Sequence, residues 1–119
     1  MDSIARWHPD ALQVGVGFGL ARDLAHIPNF AAKHRLPAIY STTPAFVRAG
    51  GLMAIGSNTP AQARRAADLV DKILKGAGPA DLPVEPVAQL DFIVNLSAAM
   101  RIGLTIPDGV LRQATEVIR

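Results

Sequence analysis

Short apolar runs alternate along this chain with stretches of helical periodicity, and that alternation limits its folds more than any other feature. Residues 11–16 form an apolar run that closes in a glycine-rich turn, Gly15, Gly17 and Gly19, and so read as a buried strand. Residues 21–35 have a helical pattern interrupted at Pro28, which can open a second piece over 28–35 because a first turn needs no N–H there. Residues 37–40 predict a strand opening into Ser41, Thr42, Thr43 and Pro44, and a short helix over 45–49 should stop at Gly50 and Gly51. Residues 52–55 give a third strand, closed by Gly56, Ser57 and Asn58.

The best-marked element follows: a helix with Thr59 as N-cap, Pro60 in its first position and Gly76 just past its end. Ala63, Ala66, Ala67, Val70, Ile73 and Leu74 share one face of it, while Asp68 with Lys72 and Asp71 with Lys75 are favourable pairs elsewhere. After a Gly/Pro loop over 76–83, residues 87–95 alternate, with Leu90, Phe92 and Val94 against Gln89, Asp91 and Asn95, which predicts a strand with one polar face. Residues 97–102 and 107–118 close the chain as helices, the second packing Val110, Leu111, Ala114, Val117 and Ile118. Strands alternating with helices define an α/β fold, a Rossmann-like and mostly parallel sheet flanked by helices. Ligands of such sheets sit beyond the carboxyl ends of the strands, here segments 17–19, 41–43 and 56–58.

With 119 residues the chain can build one modest core. Twelve basic residues against ten acidic ones are scattered rather than clustered, so there is no electrostatic footprint for nucleic acid. The absence of cysteine excludes disulfides, thiolate metal sites and a cysteine nucleophile. Residues 1–10 contain no apolar core of signal-peptide length, so the chain as written is expected to be soluble and to lack an export signal.

The glycine cluster invites a dinucleotide reading, but Gly15, Gly17 and Gly19 do not have G-x-G-x-x-G spacing, and a tight turn or a backbone contact to ligand fits better. His8, His26 and His34 lack metal-ligand spacing and read as surface or capping residues. No serine has the setting of a nucleophile elbow, and nothing in the sequence demands catalysis. Phe18, Tyr40 and Met53, at or near strand ends, could line a small-molecule pocket with Ser41, Thr42 and Asn58, or could be ordinary core, the reading favoured for Met53 because methionine fills irregular gaps well.

Taken in order, the motifs Arg6-Trp-His-Pro9-Asp10-Ala-Leu, Ala32-Lys-His34-Arg35-Leu-Pro37-Ala-Ile-Tyr40 and Phe46-Val-Arg-Ala-Gly50-Gly51-Leu-Met53 resemble the ABC-type solute-binding family. The likeness continues through Ala66-Ala-Asp-Leu-Val-Asp71-Lys-Ile-Leu-Lys75-Gly76, Asp81-Leu-Pro83-Val-Glu85 and Ile93-Val-Asn95-Leu to Gly103-Leu-Thr-Ile-Pro107, covering nearly the whole chain. It is similar to the C-terminal part of the tryptophan/tyrosine-type members, which have a type I two-lobed periplasmic binding protein fold.

That resemblance implies a non-enzymatic component of an ABC importer, without cofactor or metal, that binds an amino acid or similar small solute in the periplasm and delivers it to a membrane permease. It implies that residues 1–58 and 86–119 belong to the C-terminal lobe and that 59–85 would return to the N-terminal lobe. Gly17, Phe18, Tyr40, Ser41 and Met53 fall in matching segments and are the candidate ligand-binding residues. Ala54-Ile55 stands where relatives commonly have Ser-Tyr, and Gly17-Phe18-Gly19 where they often have Asp-Pro, so ligand identity does not carry over. With the helix over 60–75 short of neighbours, the isolated chain is expected either to expose an apolar face or to cover it by self-association. The competing readings are a self-contained α/β binding or regulatory domain and a Rossmann-like nucleotide-binding enzyme fragment.

Overall fold

The fold is that of a computed structural model, which describes residues 2–15, 24–41, 44–86 and 89–119. The chain divides into two compact units: Met1–Gly56 with Asp91–Arg119, and Ser57–Leu90.

The larger unit opens with α1 (Asp2–Arg6), an element the sequence pattern does not announce, and continues through β1 (Leu12–Val14), α2 (His26–Lys33), β2 (Ala38–Tyr40) and α3 (Pro44–Arg48) to β3 (Met53–Ser57). After the smaller unit come β4 (Leu90–Asn95), α5 (Leu96–Ile102), α6 (Asp108–Leu111) and β5 (Glu116–Ile118). The strands form one sheet in the order β1-β2-β3-β4-β5. The pairs β1–β2, β2–β3 and β4–β5 are parallel. Between β3 and β4, the Asn95 N–H donates to the Leu52 carbonyl and the Asn58 N–H to the Gln89 carbonyl, a pairing that runs antiparallel. The sheet is thus mostly parallel, as the βα alternation predicts.

Pro28 sits inside the first turn of α2, where the backbone N–H it lacks has no helical partner, so one helix starts at His26 where an interruption was expected. Each of α2, α3 and α5 ends in a Schellman motif. In α2, Leu36 N–H reaches Ala31 O and Arg35 N–H reaches Ala32 O; in α3, Gly51 and Gly50 do the same to Phe46 and Val47; in α5, Leu104 and Gly103 bond Ala99 and Met100. Gly50 and Gly103 take the left-handed position at no steric cost, whereas in α2 Arg35 holds it with φ 54°.

Alternation along the strands feeds two packed clusters. Ala54 and Ile93 join Ile27, Ala31, Ala38, Tyr40, Phe46 and Val47, while their sequence neighbours Met53 and Val94 go with Leu52, Ala98, Ala99 and Ile106. Side chains of α2 and α3 supply the first cluster and those of α5 the second.

Two expectations are corrected here. Strand β4 does not keep one polar face: Ile93, Val94 and Asn95 are all buried, because β4 is an interior strand between β3 and β5. The closing helix over 107–118 stops after one turn, and Glu116–Ile118 is a strand. Beyond the helix end, Thr115 ties the chain to β4: its N–H donates to Phe92 O at 2.7 Å, and its hydroxyl both donates to that carbonyl and accepts from Phe92 N–H at 2.9 Å. With Thr115 clamped to β4, the β-branched pair Val117 and Ile118 continues as a strand. Val110, Leu111 and Ala114 still pack on the second cluster, as the pattern predicts.

The smaller unit is built on α4 (Thr59–Leu74), a long helix followed by a 3-10 turn at Pro79–Asp81. Its N-cap is Asn58 rather than Thr59: the Asn58 side-chain oxygen accepts the Ala61 N–H at 2.8 Å. At the other end Gly76, with φ 103°, closes a Schellman motif as predicted. Asp71 and Lys75 pair at 2.8 Å, while Asp68 lies 3.7 Å from Arg65. Ala61, Arg65 and Leu69 form the half-buried side of α4 within this unit; the face bearing Val70, Ile73 and Leu74 is exposed, Leu74 at 81%.

Candidate functional site

The carboxyl edge of the sheet is where a backbone-lined ligand site of this fold would form, and Ser41 stands on it. Its N–H donates to Val14 O at 2.9 Å, which continues the β1–β2 ladder by one residue beyond Tyr40. The hydroxyl is half-buried and accepts from the Gln13 side-chain amide at 3.4 Å. Gln13 went unnoticed in the sequence because a lone glutamine in an apolar run carries no motif; only the β1–β2 register brings it to Ser41.

Tyr40 precedes Ser41 and therefore points to the other side of the strand. Its ring is fully buried and stacks on Phe46, centroids 4.8 Å apart and planes 7° from parallel. Gly51 makes room for this stack: a Cβ there would lie 2.6 Å from Tyr40 Cε2 and 2.7 Å from the Phe46 carbonyl. The space beside the ring, bounded by Pro28, Gly50, Gly51 and Ala98, is about 10 Å³, too small for any organic solute. Among the described residues the Tyr40 hydroxyl has no hydrogen-bond partner, and burial pushes its pKa up to about 12.

Met53 opens β3 opposite Ile39 and is half-buried against the second cluster, at the amino end of its strand. Gly17 and Phe18 lie outside the described residues, as do Thr42 and Thr43. Ser41 is thus placed at the strand edge, Tyr40 in the core and Met53 at the far end of β3.

The smaller unit has a groove of about 440 Å³ along α4, floored by Ala61, Ala66, Leu69 and Pro86. The Arg65 guanidinium bridges both carboxylate oxygens of Glu85 across it, with Nε donating to Oε2 at 2.6 Å. This bidentate pair holds the Glu85 carboxyl below its ordinary value. Among the described residues no helix is long and apolar enough to cross a membrane.

The mostly parallel sheet and its flanking helices have a fold of the periplasmic binding protein type. Residues 10–118 match the ABC transporter substrate binding protein family, and the chain belongs to that family. Among solved structures it is similar to a conserved domain protein from Vibrio cholerae O1 biovar El Tor, with a TM-score of 0.80 and 27% identity over 97% of this chain and 38% of that one. It is also similar to an ABC domain from Streptococcus pneumoniae solved in complex with L-Trp, with a TM-score of 0.78 and 28% identity over 98% of this chain and 40% of that one. The ligand-free, open structure of a substrate binding protein with adhesive properties from Clostridium difficile shares the fold, at a TM-score of 0.74 and 23% identity over 98% of this chain and 39% of that one. The chain therefore spans about two-fifths of the length of the structures it matches. No curated protein matches it.

Proposed function

We propose that this chain is part of the solute-binding component of an ABC importer, working outside the cytoplasm, in the periplasm, and taking an amino acid or a similar small organic solute. The observation that carries this reading is the family match over residues 10–118, joined to a structural relative solved with L-Trp. The solute sits at the carboxyl edge of the sheet. Ser41 offers its hydroxyl there, and Gly17 and Phe18, which follow β1 in the sequence, are the further candidates for contact with the solute. Tyr40 acts from behind, as the packed anchor that fixes Ser41, and Met53 supports β3 from its amino end.

Residues 1–58 and 86–119 serve as the C-terminal lobe, and 59–85 as the segment that returns to the N-terminal lobe. The compact division after Gly56 and after Leu90 supports this assignment. Solute bound between lobes stabilises the closed form through contacts the open form lacks, and a membrane permease reads that closed form. The role is binding and delivery, without a catalytic step.

The test is a thermal melt of the chain against a panel of amino acids, with Ser41→Ala beside it. A solute held at one hundred times its Kd adds about 2.7 kcal/mol of stability, which reads as a clear rise in Tm. One amino acid should raise the Tm of the native chain, and Ser41→Ala should weaken that rise. A melt that no small solute moves would remove binding by this chain on its own.

A further inference from the structure

Ile55 is an isoleucine left open in an interior strand. It lies in β3, between β2 and β4, yet 39% of it is exposed, while Ala54 before it and Val94 on the same face are buried. Two registers fix its neighbours. The β2–β3 pairing sets Ile39 opposite Met53 and Tyr40 opposite Ala54, so its next step brings Ser41 beside Ile55, about one strand spacing away. On the other side the Asn95 N–H bonds the Leu52 carbonyl, and three residues further along this antiparallel pair Ile55 stands opposite Phe92, in a non-hydrogen-bonded position where side chains approach most closely. Ser41, Ile55 and Phe92 thus form a row across three strands, on the face of the sheet turned away from Tyr40.

We infer that Ile55 and Phe92 seat the side chain of the solute, and that this solute is an amino acid whose side chain is apolar and uncharged. The inference rests on the solute site proposed above at the carboxyl edge. Gln13 donates to the Ser41 oxygen, which leaves the hydroxyl proton for the polar end of the solute, its carboxylate. With that end at Ser41, the side chain falls on the next strand, over Ile55. The row carries no charge, and Gln13, Ile39, Met53 and Val94 on the same face carry none either. A carboxylate or ammonium side chain would lose water there without gaining a counter-charge. An aliphatic or aromatic one would cover the open isoleucine and gain by it.

The test sets leucine and phenylalanine against aspartate and lysine, with thermal melts of the whole chain and methyl NMR of its isoleucines. Leucine or phenylalanine should raise the Tm and shift the Ile55 methyl signals of the native chain, and aspartate and lysine should do neither. Ile55→Thr keeps a β-branched residue in the strand and should weaken binding of the apolar amino acid by roughly tenfold. A response to aspartate or lysine with leucine and phenylalanine silent would overturn the apolar seat and leave solute binding standing. So would an Ile55→Thr chain that binds the apolar amino acid as the native chain does, or Ile55 methyls unmoved by a solute that raises the Tm. Silence toward all four in both measurements would instead remove solute binding by this chain, and the seat with it.

Discussion

The Asn95 side-chain amide donates to the Val47 carbonyl at 3.2 Å, fastening the end of β4 to the last turn of α3. The same side chain caps α5, its oxygen accepting the Ala98 N–H at 2.9 Å. Asn95 is the buried polar residue among the described ones, and both ends of its amide are used. The Val47 carbonyl keeps its bond from the Gly50 N–H when Asn95 is replaced, so Asn95→Ala removes one buried hydrogen bond and a helix cap, and urea unfolding should show a loss of about 1 to 3 kcal/mol.

Gly51 should resist enlargement. A methyl group there meets the Tyr40 ring and the Phe46 carbonyl, and that carbonyl already accepts the Gly51 N–H, so it cannot retreat without breaking the α3 cap. Gly51→Ala is expected to cost about 1 to 3 kcal/mol, read as a lower midpoint in denaturant at unchanged slope.

Arg35 offers the opposite case. Its left-handed conformation closes α2 where glycine would sit without strain. Arg35→Gly should raise stability by about 0.5 to 1 kcal/mol, visible as a higher Tm, and Gly50→Ala in the equivalent place of α3 should lower it.

Tyr40 is the only tyrosine, so alkaline absorbance at 295 nm reports on it alone. Its folded pKa of about 12 exceeds the unfolded value near 10. The stabilisation linked to it is complete below the unfolded pKa and is lost as pH rises toward the folded one. Phenolate absorbance should therefore appear together with unfolding, well above pH 10. Tyr40→Phe, which removes a buried hydroxyl without a partner among the described residues, should be as stable as the native chain or more so and should lose that alkaline transition.

The Arg65–Glu85 pair predicts an acid limb. The Glu85 carboxyl is depressed by Arg65, so its contribution is present above the unfolded carboxylate pKa and fades as pH falls through the folded value. The Tm difference between the native chain and Glu85→Gln should be level above about pH 5 and shrink below pH 4.

The strands β1, β2 and β3 and the capped helix α4 were legible because each carries its own local signal: an apolar run, a glycine turn, or a cap with proline behind it. The end of the chain was not. Val110, Leu111, Ala114, Val117 and Ile118 satisfy a helical period, and it is the long-range clamp of Thr115 on Phe92 that precedes the strand Glu116–Ile118. Asn95 misled for a related reason. Alternation sorts residues by polarity, and a buried asparagine that caps a helix looks like a solvated one until the helix is in place. At the candidate site Ser41 was found through its position after a strand, and Tyr40 was singled out with it. One residue along a strand reverses the side-chain direction, which separates an edge hydroxyl from a core ring.

The Asn58 N–H and the Gln89 carbonyl stand one hydrogen bond apart, at 3.1 Å, at the two ends of the smaller unit. Topologically, residues 59–88 are a cassette spliced between adjoining antiparallel strands, with entry and exit at the same doorway. A two-residue Asn-Gly connector has the geometry to join such strands directly. Trimmed in that way, the chain would become one continuous α/β unit in which β3 and β4 meet as a hairpin, ready to serve as a platform onto which other inserts are grafted.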